Sequence, residues 1–441
     1  MVLIGLLALS ACAPAPKGNS LAEQVFEQTS ALLLEQYYGF SLEKLSAVLA
    51  TGRSDLQKAC SSLGSACAGN VAHPIIAKML DQLEDPHTFF ENPAQFTESQ
   101  RARTGQGGSF PVLGIVSVYR TKSNGRLITD VAPNMAAESV GLTRGDMIVA
   151  LNGKPLPVGD DQSSLALRDE VRSGREFSMT VRRAGQNREV KATGKLATVP
   201  RLPSLQKPTG VPLSVAVIRI PDYVPPQVAD QTHKLINQAI KNGAKSLVLD
   251  LRSNAGGAAT NCLSVSGALM GRTGVIFEGK TKREQYIYNN GVVTGSTGAR
   301  ASVSEVANFT GNVAVLVDKQ SASCAEITPA LLQSAKRGAI IGEPTYGILN
   351  TGTLTFPLLD GSGLTITTVR TLDLNGAALP PKVTPNFVQP EDYDALETSA
   401  RDIMLEKAVR VVQGLDTVFT SKPISKPQPF MNLLELQPTI N

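Results

Sequence analysis

The stretch NVAVLVDKQSASCAEITPALLQSAKRGAIIGEPTYG, residues 312–347, decides the fold of this chain. It begins as an apolar strand, breaks at a cluster of small residues that contains Ser323, and continues as a helix. Because the first turn of a helix leaves backbone N–H groups unpaired, a serine at such a corner has donors beside it that can stabilise a developing negative charge. The stretch therefore predicts a nucleophile, and another part of the chain must supply its base.

The sequence on both sides of this stretch alternates between apolar strands and helices. The segments LSVAVIRI and KSLVLDL precede it, and the second is almost wholly apolar, which is typical of a buried strand in an α/β sheet. The strand-forming runs GTLTFPL and GLTITTVRTL follow it, and then one long helix, DALETSARDIMLEKAVRVVQG. We therefore predict an α/β domain over residues 199–420 and an irregular, Pro-rich tail over residues 421–441.

The ranges 20–105 and 106–198 differ from this domain and from each other. The first has helical periodicity and predicts an N-terminal helical segment, whereas the second has short apolar runs separated by turn signals. In the second range, VLGI (Val112, Leu113, Gly114 and Ile115) and DVAPNMAAESVGLTRGDMIVALNG resemble a PDZ domain, with a generic small β domain as the alternative. The resemblance implies that N–H groups of the VLGI loop hold the terminal carboxylate of a peptide with an apolar C-terminus, which pairs with the sheet edge.

Composition excludes several classes of partner. A chain of 441 residues exceeds one ordinary core, so we expect about two or three domains. The net charge of +4 comes from 42 basic and 38 acidic residues without long runs, which gives no support for nucleic-acid binding or a polybasic membrane surface. Tryptophan is absent, which argues against stacking on bases. Since no cysteine or histidine spacing matches a metal site, we predict neither a metal nor another cofactor.

Residues 1–19 resemble a bacterial lipoprotein signal followed by a spacer. With Ser20, they read MVLIGLLALSACAPAPKGNS. A short apolar run ends at LSAC, which makes Cys12 the predicted lipidated residue, although the usual basic residues before the apolar run are missing. An ordinary secretory signal or a buried helix is the alternative. The resemblance implies an extracytoplasmic protein, in the periplasm or at the cell surface, held to a bacterial membrane by its lipid.

Export affects how the other cysteines are interpreted. Cys60 and Cys67 lie close together with Gly and Ser between them, which predicts a local disulfide, with free thiols as the alternative. Cys262 and Cys324 fall beside the candidate nucleophile, and we predict that they are buried as small apolar side chains.

Motifs in a fixed order resemble those of the C-terminal processing, or tail-specific, serine peptidases. They are DPHT (85–88), DLRSNAGG (250–257), SASCAE (321–326), GEPTYG (342–347) and LLDGSGLTIT (358–367). The resemblance implies a multidomain α/β protein with a ClpP/crotonase-like peptidase core. It also implies that Ser323 is the nucleophile, and that N–H groups of Cys324 and of Gly256 or Gly257 form the oxyanion hole. Ser321, the competing hydroxyl, is predicted to cap a turn.

The chain departs from this family at the base. Where the Ser/Lys branch has a lysine, this chain has Ile348, whose side chain accepts no proton. The tricorn-core-like branch also lacks the lysine and takes a histidine from an upstream motif, which corresponds here to His87. An unperturbed imidazole accepts a proton near pH 7, so His87 is the predicted base. Lys319 is an alternative, as is a purely structural role for His87.

The sequence does not identify an acid that orients His87. The candidates are Asp85, Glu326, Glu343 and Asp373, and the remaining histidines, His73 and His233, are predicted to be structural. Two functions remain open. One is an exported serine endopeptidase that captures apolar C-terminal tails and cleaves peptide bonds. The other is a degenerate peptidase homologue that binds peptides through its PDZ domain.

Overall fold

A computed structural model describes residues 20–196 and 201–416. The predicted lipidation site at Cys12 and the predicted tail lie outside these ranges. Within them, no helix combines the length and apolar character needed to cross a membrane. The described chain forms a helical N-terminal segment, a β-rich domain and a mixed α/β core, so the predicted fold class is confirmed.

The N-terminal segment packs its helices around one apolar core. Its elements are α1 (Leu21–Gln36), α2 (Leu45–Cys60), α3 (Ala72–Asp81), β1 (Phe89–Glu91) and α4 (Pro93–Arg103), with short 3₁₀ helices at Leu42–Lys44, Gly64–Ala66 and Gly69–Val71. α1 begins at a capping box, because Ser20 and Glu23 satisfy each other's backbone N–H groups. Cys60 at the end of α2 is joined to Cys67 in a disulfide. This core also includes Leu364 and so attaches the segment to the α/β domain.

The second domain is an antiparallel sheet covered by a helix. Its elements are β2 (Pro111–Val112), β3 (Ile115–Arg120), β4 (Gly125–Val131), α5 (Ala136–Ser139), β5 (Met147–Leu151), β6 (Lys154–Pro155), α6 (Asp160–Arg172), β7 (Glu176–Arg183), β8 (Gln186–Thr193) and β9 (Lys195–Leu196). The main sheet has the order β3-β4-β5-β7-β8. Buried side chains of β7, such as Met179 and Val181, pack with Leu167 and Val171 of α6. β3 is an edge strand of this sheet.

The α/β core contains two sheets. Its elements are β10 (Ser204–Gln206), β11 (Val215–Arg219), α7 (Val228–Lys241), β12 (Ser246–Asp250), α8 (Ala259–Met270), β13 (Thr273–Gly279), β14 (Arg283–Asn289), β15 (Val292–Gly295), β16 (Arg300–Ser302), β17 (Asn312–Val317), α9 (Cys324–Ser334), β18 (Ala339–Gly342), β19 (Thr351–Pro357), β20 (Gly363–Leu372), β21 (Phe387–Val388), α10 (Tyr393–Ser399) and α11 (Ile403–Val412).

The first sheet positions the candidate nucleophile. Its order is β10-β11-β12-β17-β18-β21, and it is parallel from β11 onward. Side chains of α7, α8 and α9 contribute to the core on one face, and α11 packs on the other, so the strands are almost wholly apolar. Since β12 and β17 are parallel neighbours, with Asp250 opposite Leu316, the loops that follow them lie side by side. These loops carry the DLRSNAGG and SASCAE motifs.

The second sheet connects the N-terminal segment to the core. Its order is β1-β20-β13-β14-β15-β16, with β19 also paired to β20. β1 pairs with β20 through Phe90 opposite Leu364, directly after the DPHT motif. The motif is therefore brought to the sheet that carries Thr351 at the start of β19, more than 260 residues later in the chain.

The long helix predicted near the C-terminus is wrong in one respect, because the structure divides it. α10 ends at Ala400, which has a left-handed conformation with φ of 54°, and α11 begins after Asp402. The Asp402 carboxylate caps α11 by accepting the N–H of Leu405 at 3.0 Å. Ion pairs with Arg144 and Arg252 hold this carboxylate in place, and its bond to the Leu405 N–H starts a new helix at this position.

Buried charges connect the β-rich domain to the core. Arg144 pairs with Glu391 at 2.7 Å and with Asp402 at 3.0 Å, and Arg252 of the DLRSNAGG motif pairs with the same Asp402 at 2.9 Å. Burial opposes ionisation of Asp402, but Arg252 and Arg144 outweigh it and lower the pKa of this carboxyl. Leu396 of α10 adds an apolar contact with the sheet of the β-rich domain. The domain is thus fixed against the loop that leads to the candidate site.

Candidate active site

Ser323 lies at the corner between β17 and α9, as the sequence predicts. It is the N-cap residue of α9, it is half-buried, and its φ of 54° is unusual for a residue other than glycine. Such a backbone conformation costs on the order of 1–3 kcal/mol and persists only where neighbouring contacts enforce it. Here the N–H of Ala322 donates to Asn254 O at 2.9 Å, and the N–H of Ser323 donates to Glu326 Oε2 at 2.8 Å.

Ser321 is enclosed in the turn before the corner. Its side chain is fully buried, and its hydroxyl accepts the N–H of Asp318 at 3.0 Å. The same oxygen lies 2.9 Å from Leu251 O, to which it donates. A hydroxyl held in this way caps the turn and stabilises the loop, whereas Ser323 remains partly accessible.

Glu326 joins the nucleophile corner to the GEPTYG segment. Its buried carboxylate accepts the N–H of Ser323, the hydroxyl of Thr345 at 2.6 Å, and the N–H groups of Gly347 and Ile348 at 2.9 and 3.0 Å. Burial raises the pKa of Glu326, while these donors act in the opposite direction. Because its lone pairs are directed to these donors, Glu326 connects the start of α9 to the GEPTYG segment. It makes no hydrogen bond to His87 within the described residues.

The glycine pair of DLRSNAGG packs against the corner. A Cβ placed on Gly256 would lie 2.7 Å from Ser323 Cβ and 3.1 Å from Cys324 N, so only glycine fits there. The N–H of Gly256 donates to Asn254 Oδ1 at 2.8 Å and is therefore occupied. The N–H groups of Gly257 and Cys324 find no acceptor within the part of the chain that the structure describes. These two N–H groups are therefore available to donate to another acceptor.

Cys262 and Cys324 differ from their prediction. Both side chains are buried, as expected, but the structure joins them in a disulfide with a Cα–Cα distance of 5.6 Å. The prediction of two small apolar thiols missed this bond because the residues are 62 positions apart, and only the packing of α8 on α9 brings them together.

The two positions considered for a lysine base differ in their surroundings. Ile348 occupies the position of the family lysine; its side chain is buried, and its backbone N–H is bound to Glu326. Lys319 is exposed to solvent, in the turn between β17 and Ser321.

His87 is buried at the junction of the DPHT turn and β19. Its Nδ1 lies 2.8 Å from Thr351 Oγ1, and its backbone N–H donates to Asp85 Oδ1 at 3.1 Å. Burial lowers the pKa of His87 to about 4, although the nearby charge of Asp85 acts in the opposite direction. The imidazole is therefore neutral at pH 7. The hydroxyl of Thr88 bonds to β20 through Thr367, which fixes the turn.

Thr351 is the hydrogen-bond partner of the His87 ring. Its Oγ1 lies 3.3 Å from Ile348 O, which can only accept, and when the hydroxyl donates there it accepts from the Nδ1–H tautomer of His87. This tautomer leaves the lone pair on Nε2, which makes no hydrogen bond within the described ranges. His87 thus connects through Thr351 and Ile348 to Glu326, and so to the backbone of Ser323.

The other candidate residues have separate structural roles. His73 pairs with Asp360 at 2.6 Å, and Nδ1 of buried His233 accepts the N–H of Ala307 at 2.9 Å. Asp373 caps a turn by accepting the N–H of Asn375 at 2.9 Å. Glu343, whose pKa is raised by burial, makes no contact with His87. Asp85 is the acidic candidate nearest to His87, and it bonds to the backbone of the turn.

Comparison with known proteins agrees with this architecture. Residues 214–389 match the model of peptidase family S41, and residues 127–183 match that of the PDZ domain. The chain carries an S41 peptidase domain and a PDZ domain. The resemblance to the C-terminal processing peptidases is therefore confirmed at the level of its domains. The PDZ match begins after the predicted peptide loop at residues 112–115.

Curated proteins similar to this chain include carboxyl-terminal-processing enzymes. The carboxyl-terminal-processing peptidase 2 of Arabidopsis thaliana chloroplasts is 26% identical over 306 residues, which cover 67% of this chain and 56% of the relative. The carboxyl-terminal-processing protease of Picosynechococcus is 25% identical, with 68% of each chain covered. The chain thus spans little more than half the length of the first relative. A solved Bacteroides fragilis protein assigned to the S41 proteases has the same fold, with a TM-score of 0.56, 15% identity, and coverage of 77% of this chain and 90% of that one.

The PDZ domain presents the predicted VLGI loop before its edge strand. Gly114 has φ of 85°, and a Cβ there would lie 2.3 Å from Met135 Cβ, so this position requires glycine. The carbonyls of Leu113 and Gly114 accept N–H groups of Ala137 and Ala132 at 2.9 and 2.8 Å. These carbonyls therefore face the domain, and Val112 and Ile115 belong to the strands on either side.

Sequence reasoning missed the disulfide Cys262–Cys324, the contact of Thr351 with His87, and the bonds of Glu326 to the GEPTYG segment. Thr351 lies in the polar segment NTG at residues 350–352, but its contact with His87 spans 264 residues. The position of Glu326, three residues after Ser323, is a capping-box signal that could have indicated its bond to the Ser323 N–H.

Proposed function

We propose that this protein is an exported serine endopeptidase that captures apolar C-terminal tails with its PDZ domain and cleaves with Ser323. The observation that carries the proposal is the strained Ser323 corner, packed against a glycine pair and flanked by the free N–H groups of Gly257 and Cys324. This arrangement provides a partly accessible hydroxyl beside donors for a developing oxyanion. The family of the peptidase domain supports the reaction class.

In the proposed reaction, Ser323 Oγ attacks the scissile carbonyl, and the oxyanion accepts from Gly257 and Cys324 N–H. His87 Nε2 takes the serine proton and returns it to the leaving amine, which leaves an acyl-enzyme. Water then hydrolyses this ester by the same sequence. A pKa of about 4 makes His87 a weak base in the free protein, but the negative oxyanion raises the affinity of a nearby imidazole for the proton.

Thr351 takes the place of an orienting acid in this proposal. Its hydroxyl holds the ring of His87 by Nδ1 and selects the tautomer with the lone pair on Nε2. A neutral orienting group stabilises the imidazolium less than a carboxylate does, and Asp85 supplies the nearby negative charge.

The PDZ domain supplies the tail specificity. The edge of β3 accepts an extended peptide, and the VLGI loop, whose carbonyls face inward, directs N–H groups to the terminal carboxylate.

Blocking the terminal carboxylate tests this recognition. For a peptide with an apolar C-terminal tail, we expect an amidated C-terminus to raise KM by about tenfold or more, because the loop N–H groups lose a charged acceptor, while kcat changes little. In Gly114→Val, the acid and the amide should have equal KM values, since the added side chain meets Met135. Gly153→Val is the matched control: it also has positive φ, but its added Cβ meets no atom within 4 Å. Equal KM values in the wild type would contradict PDZ capture.

Lipidation of Cys12 places the protein at an extracytoplasmic membrane surface. The disulfides Cys60–Cys67 and Cys262–Cys324 support an oxidising compartment, since such bonds are rare in the cytosol. Cys12→Ala should release the mature protein from the membrane fraction. Recovery of the wild-type protein outside the membrane fraction would contradict the proposed lipid anchor.

A peptide-binding protein built on a degenerate peptidase is the second candidate. Ile348 favours it, because this side chain replaces the family base with a group that accepts no proton. The low pKa of His87 points the same way. A wild type that binds tailed peptides but reacts with no serine-directed probe would establish this alternative.

A further inference from the structure

The disulfide Cys262–Cys324 lies between the two loops of the proposed oxyanion hole. Gly257 supplies one N–H, and α8 begins two residues later, at Ala259. Cys324 supplies the other N–H and is the first residue of α9. Cys262 is in the first turn of α8, so the bond joins the starts of the two helices next to which these N–H groups lie.

We propose that Cys262 is a positioning residue for catalysis: its bond to Cys324 holds the two oxyanion donors at a fixed separation. This inference rests on the proposed function and on Ser323 as the nucleophile. It assigns to Cys262 a role beyond the apolar packing expected from the sequence. Cys262 itself touches no reacting atom, and it acts only through Cys324.

The corner needs such a restraint because it is strained. Ser323 has positive φ, and relaxation of this backbone would rotate the adjacent peptide group, which contains the Cys324 N–H. The noncovalent contacts between the two loops include the Ala322 N–H to Asn254 O bond at 2.9 Å. Between the helices, Thr328 Oγ1 lies 3.4 Å from Cys262 O, which is a weak contact. The disulfide is the covalent link at this position.

The position of an oxyanion donor strongly affects rate. A donor must lie at about 2.7–3.1 Å from the oxyanion, and its removal costs about 10²–10³-fold in kcat. A shift of about 1 Å in an active site can cost about 10²-fold. Loosening the Cys262–Cys324 bond should therefore lower kcat while substrate binding by the PDZ domain, and hence KM, is retained.

Reduction by a dithiol provides the same perturbation without mutation. A dithiol such as dithiothreitol attacks one sulfur, forms a mixed disulfide, and closes to its own cyclic disulfide. Two electrons and two protons pass to the protein, which gains the thiols of Cys262 and Cys324. Because both side chains are at most 2% exposed, the reagent reaches them only after the helices separate locally.

The test compares single and double variants of the full-length protein. We expect Cys262→Ala and Cys324→Ala each to lower kcat by at least about tenfold, with KM changed by less than about threefold. The double variant should be no worse than either single one, since each removes the same bond. The control is Cys60→Ala/Cys67→Ala, which removes the other disulfide and should lower Tm without changing kcat.

Two kinetic results would overturn the inference. One is a kcat within about twofold of wild type in folded Cys262→Ala, and the other is additive losses in the double variant, which indicate separate packing effects. Amide hydrogen exchange at Ala322, whose N–H bonds to Asn254 O between the two loops, gives a readout without activity: it should be at least about tenfold faster in Cys262→Ala than in wild type. Unchanged exchange there also rejects the inference. An inactive wild type with disulfide-dependent exchange would instead count against the proposed function alone.

Discussion

Replacing Ser323 by alanine is expected to abolish peptide cleavage, with a fall of at least about 10⁴-fold in kcat/KM. The loss follows because the hydroxyl is the atom that forms the acyl-enzyme, and the neighbouring N–H groups alone provide only residual catalysis. Ser323→Ala should also lose all covalent labelling by a fluorophosphonate, which reacts with activated serines. Binding of a tailed peptide should persist, because the PDZ domain is unchanged.

Ser321→Ala is the matched control for this prediction. Its hydroxyl bonds to Asp318 and Leu251 within a buried turn, so its removal should cost about 1–3 kcal/mol in the free energy of unfolding. The folded variant should still be labelled at Ser323. Labelling of Ser323→Ala together with loss of labelling in Ser321→Ala would assign the nucleophile to the other serine. No labelling of the wild type would favour the peptide-binding alternative.

Replacing His87 by glutamine is expected to lower kcat by about 10²–10⁴-fold, with little effect on KM. Glutamine can retain a hydrogen bond to Thr351, but it cannot accept the serine proton at neutral pH. His73→Gln is the control, because His73 pairs with Asp360 and should not affect kcat. Full activity in His87→Gln would remove His87 as the base, and loss of activity in Lys319→Ala would then identify the alternative.

The same variant should change the pH dependence of stability, whether or not His87 is catalytic. The folded protein holds the pKa of His87 at about 4, below the usual value of 6.5 for histidine, so the unfolded chain binds more protons between these values. The wild type therefore loses stability as pH falls from about 6.5 to about 4, by up to about 3 kcal/mol at about 1.4 kcal/mol per pKa unit. In His87→Gln, urea unfolding should show a weaker decline over this window. Identical profiles would contradict the buried, neutral imidazole.

The sequence predicts the parts of the site that depend on local pattern. The apolar run before Ser323 and the small residues around it indicate a strand-to-helix corner, and the glycine pair indicates a close backbone approach. The structure also keeps Ser321 within the turn, where a polar residue near a strand end is expected to cap.

Long-range pairings account for most of what the sequence did not reveal. Cys262 meets Cys324, and His87 meets Thr351, only because separate helices and sheets pack together. The break in the C-terminal helix at Ala400 has the same origin, since Asp402 forms ion pairs with arginines from two other parts of the chain. Helical periodicity continues across this position, so local pattern alone favours an unbroken helix.

The shared carboxylate of Asp402 limits how modular this protein is. It caps α11, pairs with Arg144 of the PDZ domain, and pairs with Arg252 of the loop that leads to Gly257. Loss of one partner would leave a largely buried charge poorly compensated, which is more costly than loss of an exposed ion pair. A PDZ domain transplanted from another protein would therefore need an arginine at the place of Arg144. Recombination can therefore change the tail specificity of this chain only when the incoming PDZ domain carries an arginine that pairs with Asp402.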